Sequence, residues 1–453
     1  MKKEARNTII LIVSLLCLVL LFSVMNYARL QDVCKTDTRT ESQSNLSRWF
    51  WSRPPPPKNN YPIVLVHGLF GYGQKEKVFG IDYWFGPLGM DYQFRKYGFN
   101  TPDNNIIRLD VGPISSFHDR ACEAYAQLKG VRTDYGAAHS TKCGHNRYGK
   151  DYSNEPKYSN WSASNPIHMV GHSAGGFTIL KLIELLDNDF WGHGTSASWV
   201  KSSSGISAVY NGSTAVYQLG ADKKTGEFKT DGAIAGLITL IDAILETANI
   251  LYPKLFDFQL EHWSDYNRWT ESNSLKDFLL NADFIRSQDN LAYDLSLQGT
   301  AEITKTYKTH PNIYYFTYQT DETYRKPFSN DWAPDLTMNP LFRPFSSYVG
   351  KFDMGVLEGV PGIGTESIME SKNWRENDGL VPKISMNQPF LNNSSTVGEY
   401  SLPSKVSDSH SPGRWYVESV PDVDHLEVIF LGAGKYSHTK FYYELFERLA
   451  YLQ

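Results

Sequence analysis

One stretch constrains the fold more than any other: Pro166-Ile167-His168-Met169-Val170-Gly171-His172-Ser173-Ala174-Gly175-Gly176, followed by a helical pattern from Phe177 to Leu186. A short apolar run, a Gly-x-Ser-x-Gly turn and a helix, in that order, read as strand, sharp turn and helix. A serine on such a turn sits in strained backbone geometry, and only small neighbours fit around it. Gly171 and Gly175 supply them, so the Ser173 hydroxyl is pushed out at the end of a sheet where a base can reach it.

Three further stretches fit the same architecture. Tyr61 to Val66 reads as a buried strand and runs into His67-Gly68-Leu69-Phe70-Gly71-Tyr72-Gly73. Such a turn aims the backbone N–H of Leu69 at a developing negative charge, and the N–H of Ala174, directly after the serine, supplies the second donor. His67 need not titrate there, because the backbone does the chemistry. Trp374-Arg375-Glu376-Asn377-Asp378-Gly379 fits an orienting carboxylate after a strand, and His425 follows in Val423-Asp424-His425-Leu426-Glu427. Serine is a weak nucleophile until a base takes its proton, histidine titrates near neutrality, and an aspartate fixes the histidine tautomer. The chain order Ser173, Asp378, His425 is that of the α/β-hydrolases. The fold expected is therefore a mostly parallel central sheet with flanking helices. Asn312 to Tyr318 reads as another strand, and a final helix near 437–452 turns Phe441, Leu445, Leu449 and Leu452 inward.

Residues 113–150 read as loop with unusual side chains: His118-Asp119-Arg120, then His139 and His145 six apart. An upstream aspartate and two such histidines supply three ligands of the kind zinc takes, although histidines in polar loops are also often only solvated. Residues 188–230 are rich in Ser, Gly and Thr and give no firm assignment. Ala233 to Leu251 is a strongly apolar helical pattern, either a core helix or a lid over an apolar pocket.

The chain has 453 residues, 44 basic and 49 acidic, for a net charge of −5. That is enough for a large core without disulfides or metals, and it shows no basic patch for nucleic acid. Lys2, Lys3 and Arg6 precede an apolar run from Thr8 to Met25, which would span roughly 27 Å as a helix. The expectation is a signal anchor over residues 1–28, with the protein single-pass and type II in the membrane, or secreted if cleaved near Ala28. A stiff, proline-rich stalk over 29–60 and one domain over 61–453 follow. In that compartment Asn45, Asn160, Asn211, Asn392 and Asn393 become glycosylation sequons. Cys122 and Cys143 either pair or remain buried thiols.

The blocks PIVLVHGLFGYG, VGPISSFHDRACEAYAQL, DYGAAHSTKCGHNRYG, WRENDGLVPKISMN and VDHLEVI resemble the zinc-containing, thermoalkalophilic bacterial true lipases and the related staphylococcal lipases. The resemblance runs patchily from about Tyr61 to Gln453. It implies Ser173 as nucleophile, Asp378 as triad acid and His425 as base. It also implies a structural zinc held by Asp119, His139, His145 and Asp289, with the lid at about 233–251 and a zinc-bearing insertion over 113–150. Calcium is expected to be absent or weak, since Glu427 keeps one acidic position of that family's site while Gly432 occupies the second. Ala174 departs from the glutamine common after that serine. The activity implied is hydrolysis of glycerolipid esters at a lipid surface. A phospholipase or acyltransferase on the same scaffold, or a catalytically silent lipid-binding protein, are the alternatives.

Overall fold

The computed structural model describes residues 59–73, 82–84, 106–228, 257–264, 283–363, 370–391, 400–401, 410–429 and 438–452. The strands in chain order are β1 (Ile63–Val66), β2 (Ile106–Arg108), β3 (Arg132–Asp134), β4 (Tyr148–Asp151), β5 (Ile167–His172), β6 (Val200–Ile206), β7 (Tyr314–Asp321), β8 (Thr323–Arg325), β9 (Trp332–Pro334), β10 (Tyr400–Ser401) and β11 (Trp415–Pro421). Five helices matter for the site: α1 (Phe117–Lys129), α2 (Ala137–Cys143), α3 (Ala174–Asp187), α4 (Leu297–Thr304) and α5 (His438–Ala450).

Seven strands form one sheet in the order β10-β11-β7-β6-β5-β1-β2, and every neighbouring pair is parallel. A parallel sheet must be covered on both faces, and the alternation of β1 shows how. Val64 and Val66 join a core with Phe117, Phe177 and Leu180 from α1 and α3. Ile63 and Leu65 join a second core with Phe441, Leu445 and Leu449 from α5. This is a three-layer α/β arrangement. From β1 the chain steps to β2 on one side, then returns to β5 and moves the other way. The switch point therefore lies between β1 and β5, where open α/β sheets bind ligands beyond their strand ends.

Beta-strand β6 was not legible in the sequence. It is Val200-Lys201-Ser202-Ser203-Ser204-Gly205-Ile206, with all three serines fully buried. Its polarity hides it from hydrophobic patterning, yet it sits centrally between β5 and β7. One hydroxyl is used at once, Ser202 Oγ lying 2.7 Å from Nδ1 of the buried His168.

Several expectations change. The single-pass, type II placement is set aside: among the described residues no helix is long and apolar enough to cross a membrane, and the run 8–25 and most of the stalk 29–60 lie outside the described residues. The lid stretch 233–251 and the sequons Asn45, Asn392 and Asn393 also lie outside them. Asn211 is no glycan acceptor as folded. It is fully buried, its Nδ2 donates to the Ser385 and Gln388 carbonyls, and its Oδ1 accepts from Phe390 and Leu391 N–H. Cys122 and Cys143 are both free thiols.

The turn after β5 depends on a close backbone approach. A Cβ on Gly175 would lie 2.1 Å from the Val66 carbonyl oxygen, and one on Gly171 2.4 Å from the Gly175 carbonyl carbon. Backbone cannot yield as a flexible side chain does. Gly175→Ala is therefore expected to cost at least ~1–3 kcal/mol of stability through overpacking, read from denaturant unfolding. Wild-type stability in that variant would contradict the packing described.

Candidate active site and metal cluster

Ser173 caps α3 with φ 56° and ψ −127°, a conformation disfavoured for a residue bearing Cβ and held here by its surroundings. Its N–H donates to the Ile206 carbonyl at the end of β6 (2.9 Å), and its carbonyl accepts from Gly176 N–H (3.0 Å). The strand ends are level, since Val66 of β1 pairs with Gly171 of β5. The turn after β1 therefore lies beside the serine. Among the described residues, neither Leu69 N–H nor Ala174 N–H has a backbone acceptor.

His425 follows β11 and lies within reach of both partners. Its Nε2 is 2.9 Å from Ser173 Oγ and its Nδ1 2.7 Å from Asp378 Oδ2. The three residues are almost fully buried. Asp378 was expected after a strand, but it lies in a turn closed by the Asn377 to Pro382 bridge. The end of β7 holds it instead, through Thr320 Oγ1 donating to Oδ2 at 2.8 Å. Its Oδ1 accepts from Leu380 N–H and Val381 N–H, at 3.1 and 2.9 Å. His425 N–H also donates to the Asp378 carbonyl, at 2.9 Å. Every oxygen of the carboxylate is thus occupied, and the imidazole can turn only with its neighbours.

Two residues that sequence reasoning passed over link the β1 turn to His425. Gly68 N–H donates to the Tyr83 hydroxyl at 2.9 Å, which lies 2.6 Å from His172 Nδ1. His172 Nε2 is 2.9 Å from the His425 carbonyl. Burial, then the neighbouring His425, hold the His172 pKa well below its ordinary value, so the ring is neutral. A carbonyl only accepts, so Nε2 carries the proton and Nδ1 accepts from Tyr83. His172 was visible inside the serine motif, whereas Tyr83 carried no signal. His67 is neutral too, its pKa lowered to about 3 by burial and then by Arg120.

Helix α1 places two adjacent residues with different tasks. Arg120 donates to the Gly112 carbonyl (2.6 Å), to Thr178 Oγ1 of α3 (2.9 Å) and to the His67 carbonyl, tying the β1 turn to the helix behind Ser173. Asp119 reaches, through His139, a donor group formed by His139, Cys143, His145 and Asp289, which brings in the other three metal-type residues expected from sequence. His139 Nε2 lies 3.2 Å from Asp119 Oδ1 and 3.2 Å from Asp289 Oδ2, while His145 Nε2 lies 3.1 Å from Asp289 Oδ2. Asp119 Oδ1 and His145 Nε2 are buried without a hydrogen bond, so their contacts are approaches of donor atoms, whereas His139 Nε2 and Asp289 Oδ2 form a hydrogen bond. Ligands at ~2.0 Å in a tetrahedron stand about 3.3 Å apart, which the three distances match. Cys143 also borders this cluster, its Sγ 3.9 Å from His139 Nδ1, and His262 borders it near Asp119; neither was weighed from sequence. Burial disfavours charge on His139, but the carboxylates of Asp119 and Asp289 beside it outweigh that and raise its pKa to about 12. Protons therefore compete with any cation for these atoms.

For calcium, Gly432 lies outside the described residues. Glu427 groups with Asp424 and Glu322, all three buried. Glu322 was not weighed from sequence, and burial pushes its pKa up to about 8.

A parallel α/β sheet thus carries serine, histidine and aspartate in hydrogen-bonded series beyond its strand ends. The chain belongs to the family described as lipase-like, C-terminal domain, whose model matches residues 59–447. A lipase of Staphylococcus epidermidis is 30% identical over 408 residues, covering 86% of this chain and 52% of the relative. The chain thus spans about half the length of the curated relatives it matches. The solved EstA of Clostridium botulinum superposes with a TM-score of 0.69 at 28% identity, covering 89% of this chain and 90% of that one. The Staphylococcus hyicus lipase gives 0.65 at 27%, covering 88% and 98%. The staphylococcal-type resemblance read from the sequence is therefore upheld. The family match begins at residue 59, and the membrane-anchor reading is not carried further.

The N-terminus of α1 generates a pH test. Phe117 N–H donates to Asp294 Oδ2 at 2.6 Å. Burial raises the Asp294 pKa from 3.8 to about 8, against that hydrogen bond. Between those values the folded chain holds a proton that the unfolded chain has lost, so this group makes stability fall as pH rises from about 4 to about 8. Asp294→Asn keeps an acceptor for Phe117 and removes the titration. Its Tm is expected to fall less than that of the wild type between pH 5 and 8. Equal falls would show that Asp294 is ionised in the folded protein.

Proposed function

We propose that this chain is a serine lipase that hydrolyses carboxylic esters of glycerolipids through an acyl-enzyme. The observation that carries this reading is His425, poised between Ser173 Oγ and Asp378 Oδ2. Ser173 Oγ attacks the ester carbonyl carbon while His425 Nε2 takes its proton. Negative charge develops on the former carbonyl oxygen, and the N–H groups of Leu69 and Ala174 receive it. Because both donors are backbone, the alanine at 174 leaves this step intact. As the tetrahedral intermediate collapses, His425 returns the proton to the leaving alcohol. Asp378, itself held by Thr320 and two N–H groups, keeps the proton on His425 Nδ1 and stabilises the imidazolium. Water, deprotonated by the same histidine, then releases the acid and restores Ser173.

Asp119, His139, His145 and Asp289 fit a zinc ion, with two histidine nitrogens and two carboxylates as donors. Four protein ligands leave no open position, so the ion would be structural and would clamp α1 and α2 to the segment at Asp289. That is the family's zinc-bearing insertion as we read it here.

Two measurements test these statements. Ser173→Ala should reduce turnover of fatty-acyl p-nitrophenyl esters on the order of 10^6-fold, and Asp378→Asn about 10^4-fold, with unchanged far-UV circular dichroism. Activity near wild type in folded Ser173→Ala would remove the assignment. Metal analysis of the purified protein should find one zinc per chain, lost in His139→Ala together with a lower Tm. Zinc-free wild-type protein of full thermal stability would contradict the metal reading.

A further inference from the structure

Asp119 presents its two oxygens to different histidines. Oδ1 faces His139 Nε2 at 3.2 Å, within the four-residue donor cluster. Oδ2 lies 3.0 Å from Nε2 of His262, which belongs to no part of the expected ligand set. Both side chains of that second pair are fully buried. An ionised carboxylate only accepts, so His262 Nε2 carries the proton and donates.

The rest of His262 is held by ring packing and by its backbone, while its Nδ1 is buried without a hydrogen bond. Its ring packs 4.3 Å from that of Tyr135 and 4.8 Å from that of His145. Its carbonyl accepts from Asn146 N–H, one residue past the donor His145, at 2.8 Å. The segment around it is tied to the same loop, through Lys150 Nζ to Asp257 Oδ2 (2.6 Å) and the Tyr152 hydroxyl to Gln259 Oε1 (2.7 Å). The donor therefore approaches Asp119 on a backbone anchored to the cluster itself.

We propose that His262 is a positioning residue of the metal centre: it holds Asp119 Oδ2 so that Oδ1 alone is turned to the cation. This rests on the metal reading above. The other ligands have comparable outer partners, His145 Nδ1 meeting the Asn146 carbonyl at 2.8 Å and His139 Nδ1 meeting Cys143 Sγ at 3.9 Å. Hydrogen bonds of this kind orient ligands, and their removal costs 10–100-fold in metal affinity. Without His262, one carboxylate oxygen is left buried and unpaired, and the group is free to rotate or to bind through both oxygens.

The test is zinc affinity by competition with a chromophoric chelator, on the full chain. His262→Phe keeps the aromatic packing and removes the donor; His262→Ala serves in its place if the first does not fold. Affinity should fall about 10–100-fold, measured on metal-free His262→Phe whose far-UV circular dichroism matches that of the metal-free wild type. His262→Gln, which restores an N–H donor, should bind within a few-fold of wild type. Wild-type affinity in His262→Phe would overturn the proposal while leaving the metal centre intact, as would an equal loss in His262→Phe and His262→Gln, which would make His262 a ligand. Wild-type protein that takes up no zinc at all would sink the metal centre itself, and this role with it.

Discussion

Everything at the site depends on how closely the turn after β5 presses against the end of β1. The Gly175 backbone lies so near the Val66 carbonyl that no Cβ fits between them, and Val66 pairs with Gly171. That contact sets Ser173 beside the turn after β1, where a Cβ on Gly68 would lie 2.7 Å from the Ser173 Cβ. It also forces Ser173 into a positive φ, a cost carried by the parallel strands packed around it. His425 follows the end of β11, and Asp378 sits in a turn that Thr320 holds from the end of β7. The catalytic geometry we propose is thus a property of strand ends in one sheet rather than of any single loop.

Helix α1 joins this arrangement to the metal-type cluster by adjacency in sequence. Asp119 faces His139, while Arg120 reaches the carbonyls of Gly112 and His67 and the hydroxyl of Thr178. A cation that fixed Asp119 would fix the start of α1, and with it the guanidinium that supports the β1 turn. In this view a bound cation would act on the reaction only through rigidity.

The sequence carried most of the site because its chemistry is written in short motifs. Ser173, His425 and Asp378 do meet, and so do the four donors Asp119, His139, His145 and Asp289. The placement of Asp378 was misread, because its anchor is Thr320, distant in sequence, and not a strand of its own. Strand β6 escaped notice because Ser202, Ser203 and Ser204 are buried polar residues, invisible to hydrophobic patterning. Tyr83, Arg120 and His262 act through partners 8 to 143 residues away, and no local pattern encodes such pairings. The membrane placement rested on the apolar run 8–25 alone, and that run lies outside the described residues.

The most direct test of the central claim is to treat the purified protein with a fluorophosphonate ester and map the adduct by mass spectrometry. The account requires one adduct per chain, on Ser173, with labelling abolished in His425→Ala. A protein that stays unlabelled, or an adduct on another residue, would contradict it.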